Sequence, residues 1–246
     1  MRKFTVMMAA ALLVSVAAVA GAEDKVTGSV YAGPVSKYVF RGYDWSENRG
    51  VIQGGVDLGY KGFTLSYWTN YQTITGPSGN PATEAGNASE NDLTLNYSYT
   101  PVPVVTFNVG NIYYMLDGAE DTNEVYLKTT LNTLLSPTFA VYYDWDVAKK
   151  DGFFMSLGVG HTLEVMKNLG LTLGALASYN YANPSASIAY HNLHNYELTA
   201  SLDYAVTDSF KISPNYLYSN AFNSTARNLG GIKDQSVVGL KAAFSF

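Results

Sequence analysis

The chain has 246 residues, of which 15 are Lys or Arg, 20 are Asp or Glu and none is Cys. The acidic balance argues against a nucleic-acid partner, which requires a basic surface. The absence of cysteine excludes disulfides, thiolate nucleophiles and thiolate metal sites. The 20 Tyr, 11 Phe and 22 Gly residues are typical of a chain rich in strands and turns.

The N-terminus has the pattern of a secretory signal peptide. Two basic residues, Arg2 and Lys3, precede an almost entirely apolar run over residues 6–20. This run is shorter than the roughly 20 residues of a membrane-spanning helix. We therefore predict that residues 1–22 are a cleaved signal peptide and that residues 23–246 form one domain. Cleavage removes two basic residues, which leaves 13 basic residues against 20 acidic ones and a net charge of −7.

Apolar and polar residues alternate along much of the mature chain, and this alternation predicts about twelve strands. Most of these strands approach the length of about 9 to 11 residues that a tilted strand needs to cross a membrane. The predicted strands cover residues 26–42, 50–60, 63–71, 91–100, 103–114, 122–133, 138–146, 152–162, 169–181, 194–204, 208–218 and 235–246.

The connections between these strands alternate in length. Tight connections, such as Lys61-Gly62, alternate with longer polar ones, such as residues 72–90, and only residues 148–151 break the alternation. Short turns at one end, long loops at the other and an even strand count are the properties of outer-membrane barrels. We predict an all-β fold, a transmembrane antiparallel up-and-down β-barrel of about 12 strands. A two-layered sandwich is the alternative that the same alternation permits.

The last strand supports the barrel. It places Leu240 and Phe244 on one face, Lys241 and Ser245 on the other, and it ends on Phe246. This ending resembles the closing strand of bacterial outer-membrane barrels, whose terminal Phe is read by the assembly machinery. Because an open sheet edge has no hydrogen-bond partners in lipid, the first and last strands are expected to pair. Aromatic residues near both ends of the strands predict two girdles at the membrane interfaces.

The segment Tyr38-Val39-Phe40-Arg41-Gly42 resembles the Tyr-x-Phe-Arg-Gly stretch of the TorF-like porins of Gram-negative bacteria. Residues 53–60, Gly62-Phe63 and Trp68-Thr69-Asn70 are similar to the second and third strands of that family. The resemblance is concentrated in residues 38–70. It implies an outer-membrane β-barrel pore and gives no defined substrate.

The same alternation assigns five basic and seven acidic side chains to the inner wall of the barrel. These pore-lining candidates are Lys37, Arg41, Lys128, Lys211 and Lys241, together with Asp57, Asp92, Glu124, Asp144, Asp146, Glu197 and Asp203. A mixed lining can form a polar conduit that orients small solutes. Alternatively, the charges pair across a narrow interior and close it.

Two features of this lining have alternative interpretations. Arg41 is either an anion contact or the partner of Asp57 on the neighbouring strand. Asp144 and Asp146 lie on one face near the outer rim, where they either attract cations or are simply solvated.

No enzymatic or metal-binding motif stands out, and we predict no catalytic residue, cofactor or metal. His191 and His194 have a three-residue spacing, but two imidazoles without a nearby carboxylate do not make a metal site. His161 permits a lipase-type triad only if a Ser nucleophile is nearby, and no spacing identifies one.

The leading hypothesis is an outer-membrane porin-like channel for passive diffusion of small polar solutes. The alternative is a non-conducting barrel whose outer loops, chiefly residues 72–90, 182–193 and 219–234, serve adhesion or surface stability. Loop 72–90 is also long enough to fold inward and obstruct the bore. The expected partners are outer-membrane lipid and lipopolysaccharide, the barrel assembly machinery through Phe246, and small polar solutes, with no nucleic acid.

Overall fold

The computed structural model describes residues 25–148, 151–186 and 190–246. In chain order its elements are β1 (Thr27–Val35), β2 (Val39–Phe40), β3 (Tyr43–Asp44), β4 (Val51–Tyr60), β5 (Phe63–Gln72), a 3₁₀ helix (Pro81–Thr83), β6 (Ala88–Val102), β7 (Val105–Leu116), β8 (Thr122–Leu131), β9 (Thr138–Asp144), β10 (Phe153–Met166), β11 (Leu169–Tyr181), a second 3₁₀ helix (Pro184–Ala186), β12 (His191–Ala205), β13 (Phe210–Ala221), an α-helix (Ser224–Leu229) and β14 (Gln235–Ser245). The predicted signal peptide lies outside the described residues.

Twelve of these strands, β1 and β4 to β14, form one closed antiparallel barrel, and β2 and β3 form a separate hairpin. The predicted barrel of about 12 strands is therefore confirmed. Throughout the described ranges, no helix is long and apolar enough to span a bilayer.

The barrel has an apolar outer face and a polar inner face. On β6, Leu93 and Leu95 point outward and are exposed, while Asp92 and Asn96 point inward and are half-buried. The period of two separates the faces because successive strand side chains point to opposite sides. Each strand thus contributes to an exposed apolar belt and to a polar lining.

The seam between β1 and β14 closes the sheet. Val30 pairs with Phe244 and Ala32 with Ala242 in antiparallel register. At the end of the seam, Gly28 and Phe246 exchange two backbone hydrogen bonds of 2.9 and 3.0 Å. A Cβ at Gly28 would lie 2.5 Å from the Phe246 ring, so this close approach requires glycine. Closure leaves the barrel without an open edge.

The predicted first strand, residues 26–42, is wrong in its second half. Strand β1 ends at Val35, and residues 36–50, here called the inner loop, turn into the barrel around the β2–β3 hairpin. The turn occurs where Arg41 and Gly42 have φ angles of 49° and 75°, in the left-handed region that no strand tolerates. Residues 38–42, whose apolar and polar side chains alternate, therefore lie in the hairpin and not in the barrel wall.

The interior is occupied by the inner loop, and not by loop 72–90, whose length alone would have permitted it to fold inward. The connection between β5 and β6 spans residues 73–87, and most of its residues are exposed. The remaining strand boundaries differ from those predicted by a few residues, most clearly for β6 and β12, which are longer. The long connections lie at one end of the barrel, the long-loop end, and the tight turns at the other, the short-turn end.

Candidate functional site in the barrel interior

The inner loop crosses the bore from β1 to the opposite wall. Near its start, the Tyr38 hydroxyl donates to Glu90 Oε2 on β6 (2.9 Å), and the Tyr38 ring lies 5.4 Å from the Trp68 ring on β5. At its tip, Arg41 reaches Glu124 on β8. Contacts on three strands therefore fix the inner loop at the long-loop end of the interior.

The Arg41–Glu124 ion pair is the centre of this arrangement. Arg41 Nη1 donates to Glu124 Oε1 (2.8 Å) and Nη2 donates to Oε2 (2.7 Å). Asn183 joins them, because its Oδ1 accepts from Nη1 (2.9 Å) and its Nδ2 donates to Glu124 Oε1 (2.8 Å). Tyr114 donates to the other carboxylate oxygen (2.9 Å). With 0% exposure at Glu124 and 7% at Arg41, the pair is buried and hydrogen-bonded on both sides.

This geometry excludes both interpretations of Arg41. The guanidinium is not paired with Asp57, whose Oδ2 accepts instead from Ser29 Oγ (3.0 Å). It also does not face open solvent as an anion contact would. The expected local pair is wrong because the inner loop carries Arg41 away from β4 and across the bore.

Aromatic rings surround the guanidinium. Its central carbon lies 4.2 Å from the Phe154 ring centroid, 4.8 Å from Phe40 and 5.1 Å from Tyr142. Cation–π attraction strengthens when the cation is desolvated, as it is here. The interior of the barrel at this level is thus a packed aromatic and polar core.

The two histidines of the predicted outer loop have separate structural roles. His194 Nε2 donates to the Arg41 carbonyl oxygen (2.8 Å), and its Nδ1 contacts the Tyr190 hydroxyl. His191 lies at the rim, where its Nε2 is 3.3 Å from Asp151 and its ring stacks on Tyr181 at 4.0 Å. Among the residues that the structure describes, no three His, Asp or Glu side chains are grouped to hold a metal.

His161 lies on the outer face of β10. It pairs in register with Leu173, which is exposed on the outer face of β11. Glu197, an inward carboxylate of the β9–β12 wall, points to the opposite side of the sheet. The side chains of a triad would need to share one face, and these do not.

Asp203 and Glu197, two of the predicted inward carboxylates, accept hydrogen bonds from neutral donors. Asp203 accepts from Ser213 (2.6 Å) and Thr172 (3.1 Å). Glu197 accepts from Asn195 Nδ2 (2.9 Å). Asp92 lies on the inner face of β6 beside Trp68 in register.

Asp144 and Asp146 do not share a face, which corrects the prediction for this pair. Strand β9 ends at Asp144, which is fully buried and accepts from Thr122 (2.7 Å) and from the backbone N–H groups of residues 146–148. Asp146 is exposed and accepts from Asn123, whose side chain faces outward. Asp144 therefore caps a turn, and Asp146 lies on the rim outside the bore.

The inward lysines are less constrained than the carboxylates. Lys37 donates to Gln235 Oε1 (3.1 Å). Lys128 lies over the Tyr126 ring at 4.6 Å, and Lys241 lies 5.9 Å from the Tyr31 ring. Within residues 25–148, 151–186 and 190–246, none of these three nor Lys211 makes an ion pair.

Sequence reasoning missed Glu90, Tyr38 and Asn183 as interior residues. Glu90 fell within the predicted loop 72–90, although it lies two residues before Asp92 on the same face of β6. That period-two relationship was the available signal. Asn183 follows β11 and could not be found from alternation.

Two of the interior cavities border predicted pore-lining residues. One, of about 500 Å³, lies against β9–β12, where inward glycines such as Gly158, Gly160 and Gly174 leave room and Glu197 is the carboxylate at its wall. The other, of about 370 Å³, lies between the inner loop and the wall that contains Tyr31, Trp68 and Lys241. Both volumes fall in the range of small-molecule sites.

A closed antiparallel barrel with an apolar outer belt and a polar lining defines a transmembrane β-barrel. Solved structures share this fold. The NanC porin is 12% identical over 88% of this chain and 98% of its own, with a TM-score of 0.58. The KdgM porin in complex with disordered oligogalacturonate is 13% identical over 89% and 99%, with a TM-score of 0.54. The COG4313 outer membrane channel from Pseudomonas putida F1 is 10% identical over 90% and 95%, with a TM-score of 0.52.

In sequence, the chain matches no model of a known protein family and no curated protein. The likeness to the porins is therefore a likeness of fold.

Proposed function

We propose that the protein is an outer-membrane porin-like channel through which small polar solutes diffuse passively. The observation that carries the proposal is the pair of cavities, about 500 and 370 Å³, inside a closed barrel whose lining is polar. Eight-stranded barrels are filled by side chains and sixteen-stranded ones hold an aqueous channel, so twelve strands leave room for a narrow passage. The porin and channel names of the solved structures with this fold support the same role.

The proposed location is the outer membrane of a Gram-negative bacterium. The signal-peptide pattern of residues 1–22 supports export, and the exposed apolar belt requires a lipid environment. Lipid and lipopolysaccharide are the proposed neighbours of the belt, and Phe246 is the proposed contact for the barrel assembly machinery. The resemblance of residues 38–70 to TorF-like porins supports kinship with that family.

In this proposal the inner loop is the constriction. It fixes a buried core of rings and hydrogen bonds at the long-loop end, while glycines widen the β9–β12 wall towards the short-turn end. Solutes that pass must be small and able to exchange water for the amides, hydroxyls and charges of the lining.

Planar-bilayer recording of the purified, refolded mature chain tests the proposal. Val35 pairs with Val51 across the base of the inner loop, so a short glycine turn can replace residues 37–48 without moving either strand. We expect steady single-channel conductance from the native chain and a larger conductance from the shortened variant.

The second candidate, a non-conducting barrel with adhesive or structural loops, is favoured by one observation, the complete burial of Glu124 and Asn183 beneath the inner loop. If the native chain is silent and the shortened variant conducts, the inner loop is a permanent seal and the second candidate stands. If both are silent although folded, the channel proposal fails.

A further inference from the structure

The cavity beneath the inner loop has a positive lining. Lys37 of the inner loop and Lys241 of β14 both border its volume of about 370 Å³, and no carboxylate does. The whole chain carries a net charge of −5, whereas the side chains that border this cavity carry a net positive charge. In a low-dielectric cleft such an excess concentrates anions.

Lys241 is the lysine with most freedom to bind a ligand. It is exposed on the inner face, and the described part of the chain offers it no ion pair. Its ammonium nitrogen lies 5.9 Å from the centre of the Tyr31 ring. Lys37 instead donates to Gln235 but keeps its charge and further donor capacity.

The acidic side chains near this cavity lie outside its lining. Asp57, on the strand next to β1, accepts a hydrogen bond from Ser29, and Asp92 pairs with Trp68 in register on the wall without bordering the cavity. Asp203 also stays outside the lining, although it accepts a hydrogen bond from Ser201, which borders the cavity. The two lysines are therefore the charged side chains that border the cavity itself.

The remaining lining adds donors and flat apolar surface. The side-chain amides of Gln53 and Asn215 border the cavity, and so do the aromatic residues Tyr31 and Trp68. Ammonium and amide N–H groups suit carboxylate oxygens, while ring faces suit a planar apolar group. The other cavity differs, because the carboxylate at its wall, Glu197, has no lysine beside it.

We infer that the cavity beneath the inner loop binds a small organic anion, a carboxylate attached to a planar apolar group. Lys241 holds the carboxylate, Lys37 adds to the positive field, and Tyr31 and Trp68 contact the planar part. That the bound anion is a permeating solute rests on the proposed channel function, whereas the binding itself does not.

Titration calorimetry of the folded full chain in detergent tests this inference with benzoate and its uncharged analogue benzamide. We expect benzoate to bind at least about tenfold more tightly than benzamide, because only the carboxylate can form a charge-assisted hydrogen bond with the ammonium group of Lys241. Lys241→Gln should lower the benzoate affinity by about tenfold and leave the benzamide affinity unchanged.

Lys211→Gln is the matched control. Lys211 is also an inward lysine without an ion pair, but it does not border this cavity. Its replacement should change benzoate affinity less than about twofold. Equal affinity for benzoate and benzamide, no effect of Lys241→Gln, or an equal effect of Lys211→Gln would each overturn the inference. If benzoate binds but the barrel does not conduct, the channel proposal is contradicted and this inference stands. If the barrel conducts but benzoate does not bind, this inference is contradicted and the channel proposal stands.

Discussion

Arg41 and Glu124 lie 83 positions apart in the sequence, and they form a two-point ion pair with N–O distances of 2.7 and 2.8 Å inside the barrel. Arg41 belongs to the inner loop, which connects the neighbouring strands β1 and β4. Glu124 belongs to β8, on the opposite wall of the barrel. Because both groups are buried, each depends on the other for compensation of its charge. The pair therefore ties the position of the inner loop to the integrity of β8.

Loss of one partner should destabilise the protein strongly. In Glu124→Gln the buried guanidinium loses its counter-charge, and we expect the free energy of unfolding to fall by about 3–5 kcal/mol. Urea unfolding of vesicle-inserted protein measures the change. The double variant Arg41→Met/Glu124→Leu should recover part of the loss, because it leaves no charge uncompensated.

The control for this prediction is Glu164→Gln, which neutralises an exposed carboxylate near the short-turn end of β10. Its effect should stay within about 0.5 kcal/mol. If Glu124→Gln changes stability no more than this control, the ion pair does not hold the inner loop.

The β9–β12 wall, with its inward glycines Gly158, Gly160 and Gly174, should control the width of the bore. A Cβ at Gly158 would meet its nearest atoms at 3.6 and 4.0 Å, which is ordinary contact, so a larger side chain can be accommodated there and extend into the cavity. We expect Gly158→Leu to reduce single-channel conductance without loss of stability. The neighbouring Val159→Leu adds a similar side chain on the outer face and should leave conductance unchanged. An equal conductance in both variants would show that this wall does not limit the passage.

The contact between the inner loop and loop 73–87 should depend on pH through Glu47. Its carboxylate accepts from the Ser78 hydroxyl and backbone N–H (2.8 Å) and from Thr83 (3.1 Å). These hydrogen bonds, chiefly those from Ser78, hold the pKa of Glu47 below its ordinary value of 4.5. The folded loop therefore binds the proton less readily than the unfolded loop does. The contact is complete above pH 4.5 and is lost as the pH falls through the lowered pKa.

Hydrogen exchange measures this contact. Protection of the Ser78 amide, corrected for the intrinsic exchange rate, should decrease on acidification in the native chain. In Glu47→Gln the protection should be low and independent of pH over the same range. Unchanged Ser78 protection in acid would contradict the role assigned to the carboxylate.

An engineered disulfide can test the seam between β1 and β14, because the chain has no native cysteine that could form other crosslinks. Ala32 and Ala242 are directly opposite each other on β1 and β14. Opposed antiparallel residues have Cα atoms about 4.5–5.5 Å apart, within disulfide range. Ala32→Cys/Ala242→Cys should therefore crosslink on oxidation, and Ala32→Cys/Ala200→Cys, which joins β1 to the distant β12, should not. Failure of the first pair to crosslink in folded protein would contradict closure of the barrel.

The wall of the barrel could be predicted from the sequence because its signal is local. Alternation with period two assigns Leu93 and Leu95 outward and Asp92 inward without knowledge of any distant residue. Turn residues such as Lys61 and Gly62 then mark where each strand ends. The same rule also placed Lys128 and Lys241 on the inner face, where the structure has them.

The interior could not be predicted in this way. Residues 38–42 alternate like a strand, and alternation does not report that Arg41 and Gly42 adopt left-handed backbone angles. The partner of Arg41 is set by where the inner loop crosses the bore, which depends on the diameter and register of the closed sheet. The sequence therefore left Arg41 as either an anion contact or the partner of Asp57 on the neighbouring strand, and it did not indicate Glu124.

The attachment of the inner loop has a consequence for how permeability could change. Its two ends emerge from one backbone pair, Val35 and Val51, while its far end is anchored by the contacts of Arg41. Release of the Arg41 contacts together with those of Tyr38 and Glu47 would leave the inner loop held only at its base. Passage across the barrel can therefore be altered without breaking any ladder of the twelve-stranded sheet.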